Sequence, residues 1–308
     1  MGLLVDGKWH DQWYQNSKDG KFVRHESAFR SSIGADIHSE FPAESGRYHL
    51  YVSLACPWAH RTLIFRTLKG LEEHISVSVV HPNMLENGWS LASDFEGATG
   101  DSLYNHDFLY QLYQQAKPDY SGRVTVPVLW DKNRETIVSN ESAEIIRMFN
   151  SEFNSLTGNT LDLYPEAHRA EIDELNDYIY DAVNNGVYRA GFATSQAAYQ
   201  QAVVPLFDQL DAIEERLSAQ GPYLLGEVQT EADWRLFTTL YRFDPVYVGH
   251  FKCNLRRIAD YPALSRYLQR LIAVSGVQES CNLSHIKQHY YYSHSSINPT
   301  RIIPLGPL

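Results

Sequence analysis

The chain has 308 residues, 44% of them hydrophobic and 20% charged, with a net charge of -11. That length suits about two domains, and the acidic balance excludes nucleic acid or an anionic membrane surface as a natural partner. No apolar run reaches the roughly 18 residues of a membrane span, and neither a secretory leader nor a myristoylation signal is expected at the amino terminus.

In chain order, residues 1–46 are polar and read as an irregular N-terminal arm. Residues 47–54 alternate as a strand does. A helix is predicted over 57–70, with an apolar stripe at Ala59, Leu63, Ile64 and Leu68 and Gly70 as its stop. A valine-rich strand follows at 75–81, which completes a parallel β-α-β unit. Residues 82–120 form an insertion rich in Asn, Gly, Asp and Tyr, longer than a compact domain carries without a use for it. The run 124–130 reads as a strand interrupted by Pro127, so the strand starts there, and a cis bond at Val126–Pro127 gives the proline a reason. Residues 136–138 pair as the last strand. Ser-Asn-Glu-Ser at 139–142 then leads into a helix over 143–149. The order is that of an α/β thioredoxin-like domain, spanning 47–155.

From 160 to 281 the pattern is all-α. Residues 166–183 are amphipathic. Ser195 caps a helix to 219 with apolar Val203, Leu206, Phe207, Leu210, Ile213 and Leu217, and Pro205 predicts a kink or break in it. Thr230 and Asp233 form a capping box for a helix over 234–241, and another helix runs from 261 to 274. Residues 282–308, with the cluster Tyr290, Tyr291 and Tyr292, read as an irregular tail packed on the body.

Cys56 stands between the first strand and the first helix, with Pro57 at the first helical position. Helix N-terminal N–H groups and the positive end of the dipole favour its thiolate, the reactive form. The alternative is a small buried hydrophobe, since cysteines are among the most buried residue types. The chain has three cysteines (56, 253 and 281), too few for a disulfide framework, which suits a reducing, cytoplasmic setting. Ala59 stands where a CxxC motif has its second cysteine, so chemistry at Cys56 is monothiol.

The run Cys-Pro-Trp-Ala-His-Arg at 56–61 resembles the glutathionyl-hydroquinone reductases, the Xi class of glutathione transferases, more than omega enzymes with Cys-Pro-Phe. Leu-Leu-Gly-Glu at 224–227, Thr-Glu-Ala-Asp-Trp-Arg-Leu-Phe at 230–237 and Ser-His-Ser-Ser-Ile-Asn-Pro-Thr-Arg-Ile-Ile-Pro-Leu-Gly-Pro at 293–307 look like the same family. The resemblance spans nearly the whole chain. It implies a thioredoxin-like domain followed by an all-α glutathione transferase C-terminal domain, a homodimer, and glutathione as co-substrate with no metal. Cys56 then matches the nucleophile. Trp89 matches a residue covering the tripeptide, and Arg123 a glutathione-carboxylate contact. Val126 would offer its backbone to the cysteinyl part, and Glu141 and Ser142 match the pair holding the γ-glutamyl end. Tyr188, Tyr247 and one of Tyr290 or Tyr291 resemble tyrosines of the quinol pocket, with Tyr188 or Tyr247 as the proton donor.

The same residues make chemical sense unaided. Glutathione carries two carboxylates and an ammonium. Ser142 at a helix N-terminus supplies N–H donors to one carboxylate, Arg123 a fork for the other, and Glu141 a charge for the ammonium. An extended tripeptide can pair with the backbone edge before a cis-proline. Singly, each has a plainer reading: a helix cap for Glu141 and Ser142, a solvated charge for Arg123, a core aromatic for Trp89. His60 is expected to be a packed, hydrogen-bonded histidine rather than a thiolate partner. His285 and His289 have the i, i+4 spacing of zinc ligands, but no third ligand accompanies them. The expected activity is glutathione-dependent reduction of glutathionyl-hydroquinones. An omega-like thioltransferase or dehydroascorbate reductase shares the Cys56 chemistry. A non-catalytic scaffold of this fold would have lost the nucleophile or the tripeptide contacts.

Overall fold

The computed structural model describes residues 2–12, 17–23 and 26–307. Two compact units divide the chain. The first takes Met1–Trp13, His25–Leu161 and Glu279–His289, and the second Tyr14–Arg24, Asp162–Gln278 and Tyr290–Leu308.

The first unit contains β1 (Leu3–Val5), β2 (Lys8–His10), β3 (Ile33–Gly34), β4 (Phe41–Pro42), β5 (Tyr48–Val52), α1 (Pro57–Leu68), β6 (Ile75–Val79), β7 (Met84–Leu85), β8 (Gly88–Trp89), α2 (Leu109–Ala116), β9 (Gly122–Arg123), β10 (Val128–Asp131), β11 (Thr136–Ser139), α3 (Ser142–Ser151) and α4 (Asn154–Thr157). Its main sheet has the order β11-β10-β5-β6. β5 runs parallel to β6 and antiparallel to β10. Every residue of β5 is buried, as expected of a central strand covered on both faces. Gly70, at φ +66, takes the left-handed position that stops α1. The predicted β-α-β and β-β-α segments are therefore all present, and the Val126–Pro127 bond is cis.

The N-terminal arm is irregular only in part. β1 and β2 form a hairpin through Asp6 and Gly7, whose φ angles of 46 and 70 are those of a two-residue type I′ turn. β1 also pairs with β9, Leu3 opposite Arg123, and Leu4 is fully buried. Residues 1, 13–16 and 24–25 of the expected arm lie outside the described residues. The 82–120 segment likewise holds a short β7–β8 hairpin and helix α2.

In the second unit, α5 (Arg169–Tyr178) continues into a π-helical turn at Ile179–Asn184. α6 (Gly186–Gly191), α7 (Gln196–Gln220) and α8 (Glu231–Arg242) follow, then a second π-helical turn at Phe243–Tyr247, and α9 (Pro262–Ile272). The wide turns close by i→i+5 bonds, Asn185 N to Tyr180 O and Val248 N to Phe243 O, each 2.9 Å. Pro245 explains the second: it has no N–H for the Tyr241 carbonyl, so the helix cannot continue in α geometry. Pro205 does not break α7, which runs unbroken over 25 residues from its Ser195 cap. Both Pro205 and Gln201, whose carbonyl loses its helical donor, face solvent, where water can take that carbonyl.

The tail departs most from expectation. Residues 283–293 form a helix, α10 (Leu283–Ser293), and the unit boundary falls inside it after His289. The buried positions His285, Ile286, His289 and Tyr290 recur at helical spacing. The stripe is built from histidine and tyrosine with a single aliphatic residue, so hydrophobic patterning does not show it. Asn282 caps the helix, its Oδ1 accepting from His285 N at 2.9 Å. Among the described residues no helix is long and apolar enough to cross a membrane.

Candidate active site

Cys56 is the N-cap of α1, in extended conformation (φ -76, ψ 124), with Pro57 at the first helical position. Its N–H bonds the Ser53 carbonyl at 3.1 Å, which closes the turn out of β5. The half-buried thiol donates to the Val126 carbonyl at 3.6 Å. Cys56 therefore faces the residue that precedes the cis-proline, although 70 positions separate the two in sequence.

Glu141 is the N-cap of α3. One carboxylate oxygen accepts from Ala143 N at 3.0 Å, and the other from the Ser27 hydroxyl at 2.9 Å. The capping reading is thus correct, and the cap holds the carboxylate in place. Ser142 opens α3 and is buried. Its hydroxyl takes a bond from Arg61 at 3.5 Å, and the Arg61 guanidinium lies 4.5 Å over the Trp58 ring. This ties the Cys-Pro-Trp-Ala-His-Arg motif to the α3 N-terminus. Arg123, half-buried on β9, donates to the Gln12 carbonyl of the arm.

Trp89 is 3% exposed. Its ring stacks on His289 with centroids 4.8 Å apart. Its indole N–H is buried and meets no acceptor among the described residues. A buried donor of this kind suits an acceptor on a substrate. His289 Nδ1 donates to the Pro82 carbonyl at 2.9 Å, His285 Nε2 to the Glu96 carbonyl at 2.7 Å, and Gln288 to Asn83 at 2.8 Å. The two histidines at zinc-like spacing thus fasten the 82–120 segment to α10, and no group of three potential metal ligands occurs among the described residues.

In the second unit, Tyr188 on α6, Tyr247 at the end of the second π-helical turn and Tyr290 on α10 form a cluster. The Tyr290 hydroxyl lies 2.5 Å from that of Tyr188 and 3.1 Å from that of Tyr247. Burial pushes the Tyr247 and Tyr290 hydroxyls well above the ordinary phenol value, and the nearby Arg242 cation only partly opposes it. Both stay protonated. Tyr291 is turned elsewhere, its hydroxyl donating to the Pro245 carbonyl at 3.1 Å. Of the two tail tyrosines, Tyr290 joins the cluster.

His60 is fully buried and its Nε2 sits 2.9 Å from the Ser280 hydroxyl, so it is the packed, bonded histidine its position suggested. Nothing local in the sequence marks Gln12 or Ser27, which lie in the arm, and His289 stands out there only through its spacing to His285.

Residues 55–152 match the glutathione S-transferase N-terminal domain family, and residues 196–270 the glutathione S-transferase C-terminal domain family. The chain is 60% identical to glutathionyl-hydroquinone reductase YqjG of Escherichia coli K12, over 100% of this chain and 95% of that protein. It is 54% identical to glutathionyl-hydroquinone reductase PcpF of Sphingobium chlorophenolicum, over 100% and 96%. The glutathione-bound structure of YqjG superposes with a TM-score of 0.91 at 56% identity, covering 100% of this chain and 96% of that one. Glutathione S-transferase Xi from Phanerochaete chrysosporium gives a TM-score of 0.92 at 55% identity, covering 96% and 95%.

Proposed function

The chain belongs to the glutathionyl-hydroquinone reductases, the Xi class of the glutathione transferase superfamily, and we propose that Cys56 removes glutathione from glutathionyl-hydroquinones. The observation that carries this reading is the Cys56 thiol 3.6 Å from the Val126 carbonyl, beside a cis-proline edge suited to the tripeptide backbone. Glutathione is a substrate here. Glu141 faces its ammonium, the α3 N-terminus at Ser142 and the Arg123 guanidinium take its carboxylates, and Trp89 covers it with an N–H to spare.

The conjugate first tautomerises to its keto form, its hydroxyl proton moving to the ring carbon that bears sulfur. Cys56 thiolate then attacks the sulfur of the glutathionyl group. The bond between that sulfur and the ring carbon breaks, and its electron pair passes into the neighbouring carbonyl as an enolate, which restores the aromatic ring. The enolate oxygen takes a proton from a tyrosine, the quinol leaves as hydroquinone, and a disulfide links Cys56 to glutathione. A second glutathione thiolate attacks that disulfide, regenerates Cys56 and leaves as oxidised glutathione. The steps predict ping-pong kinetics. Tyr188, Tyr247 and Tyr290 suit an aromatic quinol because each joins an apolar face to a polar tip. Tyr188 or Tyr247 supplies the proton in this reading, and burial keeps the Tyr247 hydroxyl protonated while making it a weaker acid than a free phenol.

Cys56→Ala assayed with a glutathionyl-hydroquinone and glutathione should show no turnover, and retained turnover would sink the assignment. Faster turnover of dehydroascorbate than of the quinol conjugate would favour the omega-like alternative. The reading includes a cytoplasmic homodimer, supported by the family likeness and by the sparse cysteines; light scattering on the purified protein tests the dimer.

A further inference from the structure

Tyr113 lies on α2, fully buried, and no sequence motif draws attention to it. Its hydroxyl donates to the Thr125 carbonyl at 2.9 Å. It accepts from Thr125 N at 3.3 Å and from Asn140 Nδ2 at 3.1 Å. A phenol has one donor and two acceptor positions, so this oxygen is used to capacity. Thr125 precedes Val126, and Asn140 precedes Glu141. One hydroxyl therefore joins the segment carrying the cis-proline edge to the segment carrying the γ-glutamyl pair.

The Asn140 segment is held from the other side as well. Asn140 Oδ1 accepts from Phe29 N at 3.1 Å, and its N–H bonds the Phe29 carbonyl at 3.1 Å. The Phe29 ring meets the Tyr113 ring edge-on, with centroids 5.8 Å apart. A direct bond from Asn140 Nδ2 to Thr125 Oγ1 at 3.4 Å runs beside the hydroxyl and closes the same junction. A buried polar hub of this type sets the relative position of the chains it joins, because a shift of either leaves a buried donor or acceptor unmet.

We propose that the Tyr113 hydroxyl is a positioning residue for glutathione, setting the spacing between the Val126 edge and the Glu141 and Ser142 end of its site. It touches no reacting atom. It acts by keeping two anchors of one extended ligand in register, which lowers the ordering needed on binding. The inference rests on the glutathione-binding reading above.

The test is equilibrium binding of glutathione to the full-length, reduced protein, with the melting temperature measured alongside. Tyr113→Phe keeps the ring and removes the hub; glutathione should bind about tenfold more weakly, with turnover at saturating glutathione near wild type. Asn140→Ala removes one arm of the hub and should give a smaller loss in the same direction. Tyr267→Phe is the matched control, since that buried hydroxyl in the second unit bonds Asp233 at 2.9 Å. It should lower the melting temperature and leave glutathione affinity alone. Equal affinity in Tyr113→Phe and wild type, or equal losses in Tyr113→Phe and Tyr267→Phe, overturns the proposal. If Tyr113→Phe does not fold, the Asn140→Ala result decides. Absence of glutathione binding by the wild type would instead overturn the functional reading itself.

Discussion

The imidazole of His289 lies flat against the indole of Trp89, with centroids 4.8 Å apart and planes 20° from parallel. Nδ1 donates to the Pro82 carbonyl at 2.9 Å, which sets the plane of the ring in the stack. His289 fixes Trp89 from behind, against the helix that also bears Tyr290.

His289→Ala removes both the stack and the bond. It should cost about 1–3 kcal/mol of stability and weaken glutathione binding. His289→Phe keeps a ring and loses only the bond, so it should recover roughly half of that cost. Urea denaturation gives the two values. A phenylalanine variant no better than the alanine one would show that stacking contributes nothing.

Tyr290→Phe deletes the hydroxyl shared by Tyr188 and Tyr247. Turnover of a glutathionyl-hydroquinone should fall by roughly 100-fold, the scale of a disabled general acid, because both candidate donors bond that hydroxyl; glutathione affinity should be unchanged. Tyr291→Phe should stay near wild type, because that hydroxyl serves the Pro245 carbonyl. Steady-state kinetics on both variants separate the two tyrosines, and the reverse order of effects would refute the assignment.

Two buried groups give stability opposite pH trends. Burial pushes the Asp233 carboxyl up to about 6 from its ordinary 3.8. Over that window the folded state holds a proton that the unfolded chain has lost, so this contribution is present at low pH and fades as pH rises through 6. Burial pushes His49 down to about 4 from 6.5. There the unfolded chain binds the proton first, so the contribution is present above pH 6.5 and fades on acidification. The stability deficit of Asp233→Asn should therefore shrink as pH rises from 4 to 7, and that of His49→Gln should grow, each by up to roughly 3 kcal/mol. Denaturation midpoints at several pH values check the signs; parallel trends would contradict them.

Local signals made much of the site legible. Cys56 before Pro57, Glu141 and Ser142 ahead of an apolar run, and Thr230 with Asp233 are helix starts, and each depends on residues within one turn. Asp6 and Gly7 are equally local, a hairpin signal plainly present in the chain, yet the arm around them reads as irregular because the flanking strands have only three residues each. The α10 helix escapes for a different reason. Beside Ile286 its buried face is His285, His289 and Tyr290, polar residues that count as core only once their partners are known.

The sequence by itself determined the thioredoxin-like order, the all-α half and the cysteine at a helix cap, because short-range backbone sterics and hydrophobic periodicity encode them. Only the tertiary structure decided which tail tyrosine joins Tyr188 and Tyr247, what holds Trp89, and that Tyr113 links Thr125 to Asn140. Those outcomes follow from satisfying buried donors and acceptors between segments far apart in the chain, and no local pattern specifies such a partner.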